Sequence, residues 1–181
     1  MPENVVLINR APVLTLWAAV VAEALGYERD TALTLGKALA GLNAQSKARS
    51  LGIYGQSKGP EGELPPRKAG LGEEFWIQIC QRAIPVKNTK DGMRAVIKDE
   101  AIDPAGVERY LRNKLGEHYE TVQMVMEELA RSFPREELAR RAYGLYEIFR
   151  PSIPSGQQGW GARGEFKLDL MRSLARKRRS V

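Results

Sequence analysis

Two side chains with strong chemical potential occur once each in 181 residues, Cys80 and His118. One cysteine and one histidine cannot assemble a zinc site of the usual nitrogen and sulfur ligands within one chain, and a single cysteine allows no intrachain disulfide. A Cys80–His118 nucleophile pair remains conceivable, the imidazole taking the thiol proton. Cys80 lies in an apolar stretch, however, where a buried and inert thiol is the usual state. The carboxylate pairs Glu73-Glu74, Glu127-Glu128 and Glu136-Glu137 are adjacent in sequence. Their members point to different sides of a helix or strand, so they read as solvated faces. Neither a Walker phosphate loop nor an H-E-x-x-H pair occurs. We therefore assign no catalytic residue, no metal and no cofactor, and expect a non-enzymatic protein.

The binding features are cationic. Lysine and arginine total 28 against 22 acids, a net charge of +6. From Trp160 to Val181 the bases Arg163, Lys167, Arg172, Arg176, Lys177, Arg178 and Arg179 face only Glu165 and Asp169, so most of the excess sits there. Arg176, Lys177, Arg178 and Arg179 can neutralise phosphates without reading sequence. Arg29, Lys37, Lys47 and Arg49 are second-rank contacts, and Lys87, Lys90, Arg94 and Lys98 can act as a wing on a nucleic-acid backbone. The glycines Gly156, Gly159, Gly161 and Gly164 around Trp160 offer backbone N–H groups to a phosphate, although no clear strand precedes them and Glu165 would repel an anion. The plainer account is a loop whose Trp160 plugs the core.

These groups need positioning, and the chain is organised around Ala11 to Leu25. Only Thr15 and Glu23 interrupt its apolar surface, so it must be enclosed by protein or lipid. It is too short to span a bilayer, which takes roughly 20 apolar residues, and reads as a central helix with Pro12 in its first turn and Gly26 as its stop. No second apolar run is longer, and MPENVVLINR lacks the pattern of a signal peptide, so we expect a cytoplasmic protein with no membrane partner. VVLI is a short strand or a lead-in. A second helix starts near Thr31, with Asp30 as N-cap and the stripe Ala32, Leu35, Leu39 and Leu42.

Within this pair, Ala22, Gly26 and Leu35 stand where the helix-turn-helix family places a small residue, a turn glycine and an apolar anchor. Over about twenty residues the chain resembles the helix-and-turn portion of that family. The resemblance implies DNA-facing positions that include Glu28, Arg29, Asp30, Leu33, Thr34 and Lys37, with two acids beside phosphates.

Residues 52–72 are dense in glycine and proline, a linker or flap. Phe75, Ile77 and Ile79 alternate at strand period, Ile84-Pro85-Val86 continue on an edge, and Asp91-Gly92 turn into Met93 to Ile97. The remainder is helical: one helix from Asp103-Pro104 to Gly116, one through Tyr119, Val122, Met126 and Leu129, and one after Pro134 through Leu138, Ala142, Leu145 and Phe149. The last helix carries Phe166, Leu170, Met171 and Leu174 on one face. The fold class is α+β, predominantly α-helical: an N-terminal helical pair (1–51), a linker (52–72), a β-hairpin with a C-terminal helical bundle (73–175), and a basic tail (176–181). The function read from these residues is phosphate-directed nucleic-acid binding by a homo-oligomer. The alternatives are an assembly protein with no nucleic-acid role, using surplus apolar residues such as Tyr143, Tyr146 and Ile148, or an enzyme or binding protein for a phosphorylated small molecule at the Gly-Trp-Gly loop.

Overall fold

The computed structural model describes residues 5–50, 73–97, 100–152 and 164–179, without the side chains of 43–50 and 178–179. It is a mixed α+β fold, mainly helical. In order the elements are β1 (Val5–Ile8), α1 (Arg10–Ala24), α2 (Arg29–Ser50), β2 (Glu74–Ile79), β3 (Arg82–Thr89), β4 (Gly92–Ile97) and β5 (Glu100–Ala101). There follow α3 (Pro104–Leu115), a 3-10 turn (Gly116–His118), α4 (Tyr119–Arg131), α5 (Arg135–Phe149), β6 (Gly164–Lys167) and α6 (Leu168–Arg179).

Helix α1 is central, as its composition requires. Every residue from Pro12 to Ala22 is buried, and α2, α3, α4, α5 and β2 all pack on it. Its buried Thr15 is satisfied locally, Oγ1 donating to the Ala11 carbonyl at 2.9 Å. At its end Tyr27 N donates to the Ala22 carbonyl and Gly26 N to that of Glu23, both at 3.0 Å. This is a Schellman stop, and Gly26 supplies the positive φ of 109° that it needs. Trp17 Nε1 donates to the Ala142 carbonyl of α5 at 2.9 Å, and the ring stands edge-to-face on Phe149 at 5.1 Å.

The expected hairpin is part of a four-stranded antiparallel sheet in the order β2-β3-β4-β5. Cys80 and Gln81 form the first turn, both at positive φ (49° and 63°). Gln81 secures this uncommon geometry by reaching α5: Nε2 donates to the Ala139 and Arg140 carbonyls at 2.6 Å each, and Oε1 accepts from Tyr143 N at 3.1 Å. Pro85 was expected on an edge, yet β3 has a neighbour on each side. The two-residue turn pairs Trp76 with Pro85 out of hydrogen-bonding phase, so the proline nitrogen faces β4, whose pairing with β3 begins only at Val86. The missing donor therefore costs no ladder bond.

Strand β4 would leave backbone groups exposed at Met93 to Ala95, and α2 covers them. Thr31 Oγ1 donates to the Met93 carbonyl at 2.7 Å, while Ala95 N donates to Thr34 Oγ1 at 2.9 Å. Two threonine hydroxyls thus take the place of a further strand. Asp30, expected as the N-cap of α2, lies inside its first turn, with Arg94 at 3.8 Å.

Residues 164–167 differ from expectation. Instead of starting the last helix they pair antiparallel with β1, Val5 opposite Lys167 and Ile8 opposite Gly164, and Ser152 bridges to Glu165 on the other side. Phe166 is buried from the strand, and the inward face of α6 is Leu168, Met171 and Ala175, with Leu174 partly buried against the core and Leu170 exposed. The Asp103 cap, whose side chain accepts from Ala105 N at 3.1 Å, and the buried stripes of α3, α4 and α5 follow the expected pattern.

Candidate nucleic-acid interface

The cationic end of the molecule is α6. Packing of Leu168, Met171 and Ala175 carries the helix past α4, and the backbone stays helical through Arg178 to Arg179. Arg176 and Lys177 are exposed; the side chains of Arg178 and Arg179 lie outside the described residues. Arg172, one turn before Arg176, pairs with Asp169 at 3.4 Å. Positive charge at a helix C-terminus also complements the helix dipole, so this arrangement is locally stable as well as cationic.

The second-rank residues sit differently. Arg29 is half-buried and its guanidinium is engaged internally: Nη1 donates to Glu23 at 3.3 Å, and Nη2 to Tyr119 Oη at 2.5 Å, Gln123 at 3.2 Å and Glu108 at 3.4 Å. Burial alone would lower its pKa, but Tyr119 and Glu23 outweigh that and hold it above the ordinary value. Arg29 thereby ties the α1–α2 turn to α3 and α4. Lys37 Nζ rests 4.5 Å from the centre of the Tyr110 ring. The backbone of α2 carries Lys47 and Arg49 in its last turns, with their side chains outside the described residues. Of the other positions that the helix-turn-helix resemblance assigns to DNA, Leu33 and Thr34 are buried against the rest of the fold, whereas Glu28 and Asp30 are exposed.

In the hairpin, Lys90 is exposed and Lys87 half-buried, and Lys98 lies outside the described residues. Arg94 is buried and holds its own turn together, donating to the Asp91 carbonyl at 3.1 Å and the Met93 carbonyl at 2.9 Å. The Gly-Trp-Gly loop, residues 153–163, also lies outside the description. Its glycines 159 and 161, together with Gly164 just after it, do fall at the G-x-G-x-x-G spacing of dinucleotide-binding turns. That motif needs a helix after its last glycine, and Gly164 opens strand β6 instead. A Cβ there would collide with the Ser152 carbonyl, so close strand packing accounts for this glycine. The spelling G-x-S-x-G likewise occurs at Gly55 to Gly59, in the Gly/Pro-rich stretch outside the described residues.

Nothing among the described residues joins Cys80 to His118. Cys80 is 2% exposed, and no group of three or more His, Cys, Asp or Glu residues placed to hold a metal ion occurs there. Burial pushes the Cys80 thiol from 9.0 up to about 12, which makes it a poor nucleophile. The same shift predicts alkaline sensitivity. In the unfolded chain the thiol ionises near its ordinary value, so stability is intact below pH 9 and falls as pH rises toward 12. By pH 11 this amounts to about 3 kcal/mol. Burial also raises Tyr146, from 10.0 to about 12, which steepens the fall above pH 10. Urea unfolding of Cys80→Ala should show a shallower loss than wild type between pH 9 and 10; identical slopes would contradict the assignment.

No family model, curated protein or solved structure matches the chain. Among the described residues no helix is long and apolar enough to cross a membrane.

Proposed function

We propose that the protein binds nucleic acid through phosphate contacts, with α6 as the principal contact element. The observation that supports this reading is the regular helix that carries the run Arg176 to Arg179 beyond the apolar contacts of its own first two turns. Charges on a helix approach a polyanion already ordered, whereas an irregular tail loses conformational entropy on binding. In this reading base edges are not read by α2, whose Arg29, Leu33, Thr34 and Lys37 serve the fold, and specificity for sequence is low. The protein works in the cytoplasm, where an unpaired thiol such as Cys80 is stable. Self-association would bring two α6 helices to one strand and raise avidity.

The test is a titration of labelled single-stranded and duplex DNA against the full chain and a variant with Arg176, Lys177, Arg178 and Arg179 all changed to glutamine. Four phosphate contacts predict roughly a 150-fold loss of affinity between 50 and 200 mM salt for duplex DNA. The variant should lose tight binding and flatten the salt slope by about 3 to 4. Absence of binding at 50 mM salt, or an unchanged slope in the variant, would overturn the reading.

A further inference from the structure

Arg10 opens α1 and Arg150 follows the last residue of α5, and the fold brings these two ends together. Arg10 Nε donates to the carbonyl of Pro151, the neighbour of Arg150, at 2.9 Å. Tyr146, one turn before Arg150, donates its hydroxyl to the Arg10 carbonyl at 3.5 Å. Both arginines are half-buried. Burial first, and the charge of Arg150 second, hold the Arg10 guanidinium below its ordinary pKa, as expected for two like charges close together in a partly dry place.

The pair has no counter-charge in view. None of the ion pairs among the described residues involves Arg10 or Arg150. Arg29, Arg94 and Arg172, by contrast, each have a carboxylate at 3.3, 3.8 and 3.4 Å. The stretch 153–163 contains no Asp or Glu in its sequence. The Pro151 carbonyl accounts for Arg10 Nε, and among the described residues no partner is seen for its Nη groups or for the fork of Arg150.

Arg10 is anchored on the Pro151 carbonyl and Arg150 is the residue just before it, so the fold sets two guanidinium-bearing residues next to each other. A phosphate, which accepts paired N–H donors, would cancel the repulsion between them. We propose that Arg10 and Arg150 form a phosphate-binding site where the start of α1 meets the end of α5. The phosphate is either that of a small phosphorylated molecule or one along a nucleic-acid backbone. This site is separate from α6 and does not depend on the reading above: Gly164 and Ile8 mark its end of β6, while α6 starts from the other.

The test is calorimetric titration of the full chain with inorganic phosphate, chloride being used to hold ionic strength constant. Wild type should give saturable binding. Arg150→Gln, which breaks no hydrogen bond seen in the fold, should weaken it at least tenfold, and the α6 quadruple glutamine variant should retain it. Should Arg150→Gln fail to fold, Arg150→Lys keeps the charge without the fork and should weaken binding several-fold. No saturable heat in wild type, or equal affinity in the position-150 variant, would overturn the site. A parallel titration with a short oligonucleotide and with a phosphate monoester identifies the source. If Arg150→Gln weakens the oligonucleotide, the phosphate is a backbone one; if it weakens the monoester alone, the ligand is a small molecule. Either result upholds the site.

Discussion

Replacing Gly36 by alanine should lower the stability of the protein by about 3 kcal/mol, the upper range for overpacking a tight contact. Helix α2 crosses α1 at this residue, and an added Cβ would fall on the Thr15 carbonyl and within 3.3 Å of Ala19 N. Those atoms are backbone of the most enclosed helix in the fold, so no side-chain rotation relieves the clash. Gly41, further along the same helix, has nothing within 4 Å of an added Cβ. There alanine gains its helix propensity, about 1 kcal/mol. For a chain of this size the expected shifts are a fall of roughly 6 to 12 °C in Tm for Gly36→Ala and a rise of roughly 2 to 4 °C for Gly41→Ala. Thermal unfolding of the two variants beside wild type measures both. Equal shifts of one sign would mean that the α1–α2 crossing is not where the structure puts it.

Trp17 carries the second large effect. It is fully buried, fills the space between α1 and α5, and is the link by which α1 bonds to the Ala142 carbonyl. Trp17→Ala removes that volume and the edge contact with Phe149, at a cost of about 4 kcal/mol. Trp17→Phe keeps an aromatic ring and loses the Nε1 donor and one ring's volume. Because the Ala142 carbonyl also lies within a helix, the lost hydrogen bond itself should cost only about 1 kcal/mol. Urea unfolding should rank wild type above Trp17→Phe and Trp17→Phe well above Trp17→Ala. A loss under about 1 kcal/mol for the alanine variant would show that the α1–α5 contact is not a main support of the core.

Features governed by neighbours in sequence were legible in it. The Asp103-Pro104 start, the Gly26 and Gly116 stops, and the apolar stripes of α3, α4 and α5 rest on local rules of capping and periodicity, and the structure has them. The features that escaped depend on distant partners. Nothing in GEFK marks a strand apart from its pairing with VVLI, and Phe166 stands four residues before Leu170, the spacing of a helix face. Pro85 looked like an edge residue because the early departure of β4 from β3 cannot be read from the proline's surroundings. Arg29 was legible as a cation, but not as the hub of a cluster whose acceptors Glu108, Tyr119 and Gln123 come from two later helices. The Arg10–Arg150 pair lies 140 positions apart in the chain and has no sequence signal apart from an acid-free stretch after Pro151. For the candidate interface, the clustering of bases near the C-terminus was visible from composition, while its helical continuation through Arg179 depends on packing against α4.

The clasp between Val5–Ile8 and Gly164–Lys167 also bears on how the protein is made. Synthesis runs from the N-terminus, so the first strand waits for its partner until nearly the whole of this sequence has emerged. Helix α1, hydrophobic on all sides, waits with it for α3, α4 and α5, and its early companion α2 covers only part of that surface. Final closure is therefore a late, non-local event, of the kind that slows folding and leaves sticky intermediates on the way. A nascent chain halted before residue 164 would hold its central helix without the clasp, a species suited to capture by a chaperone.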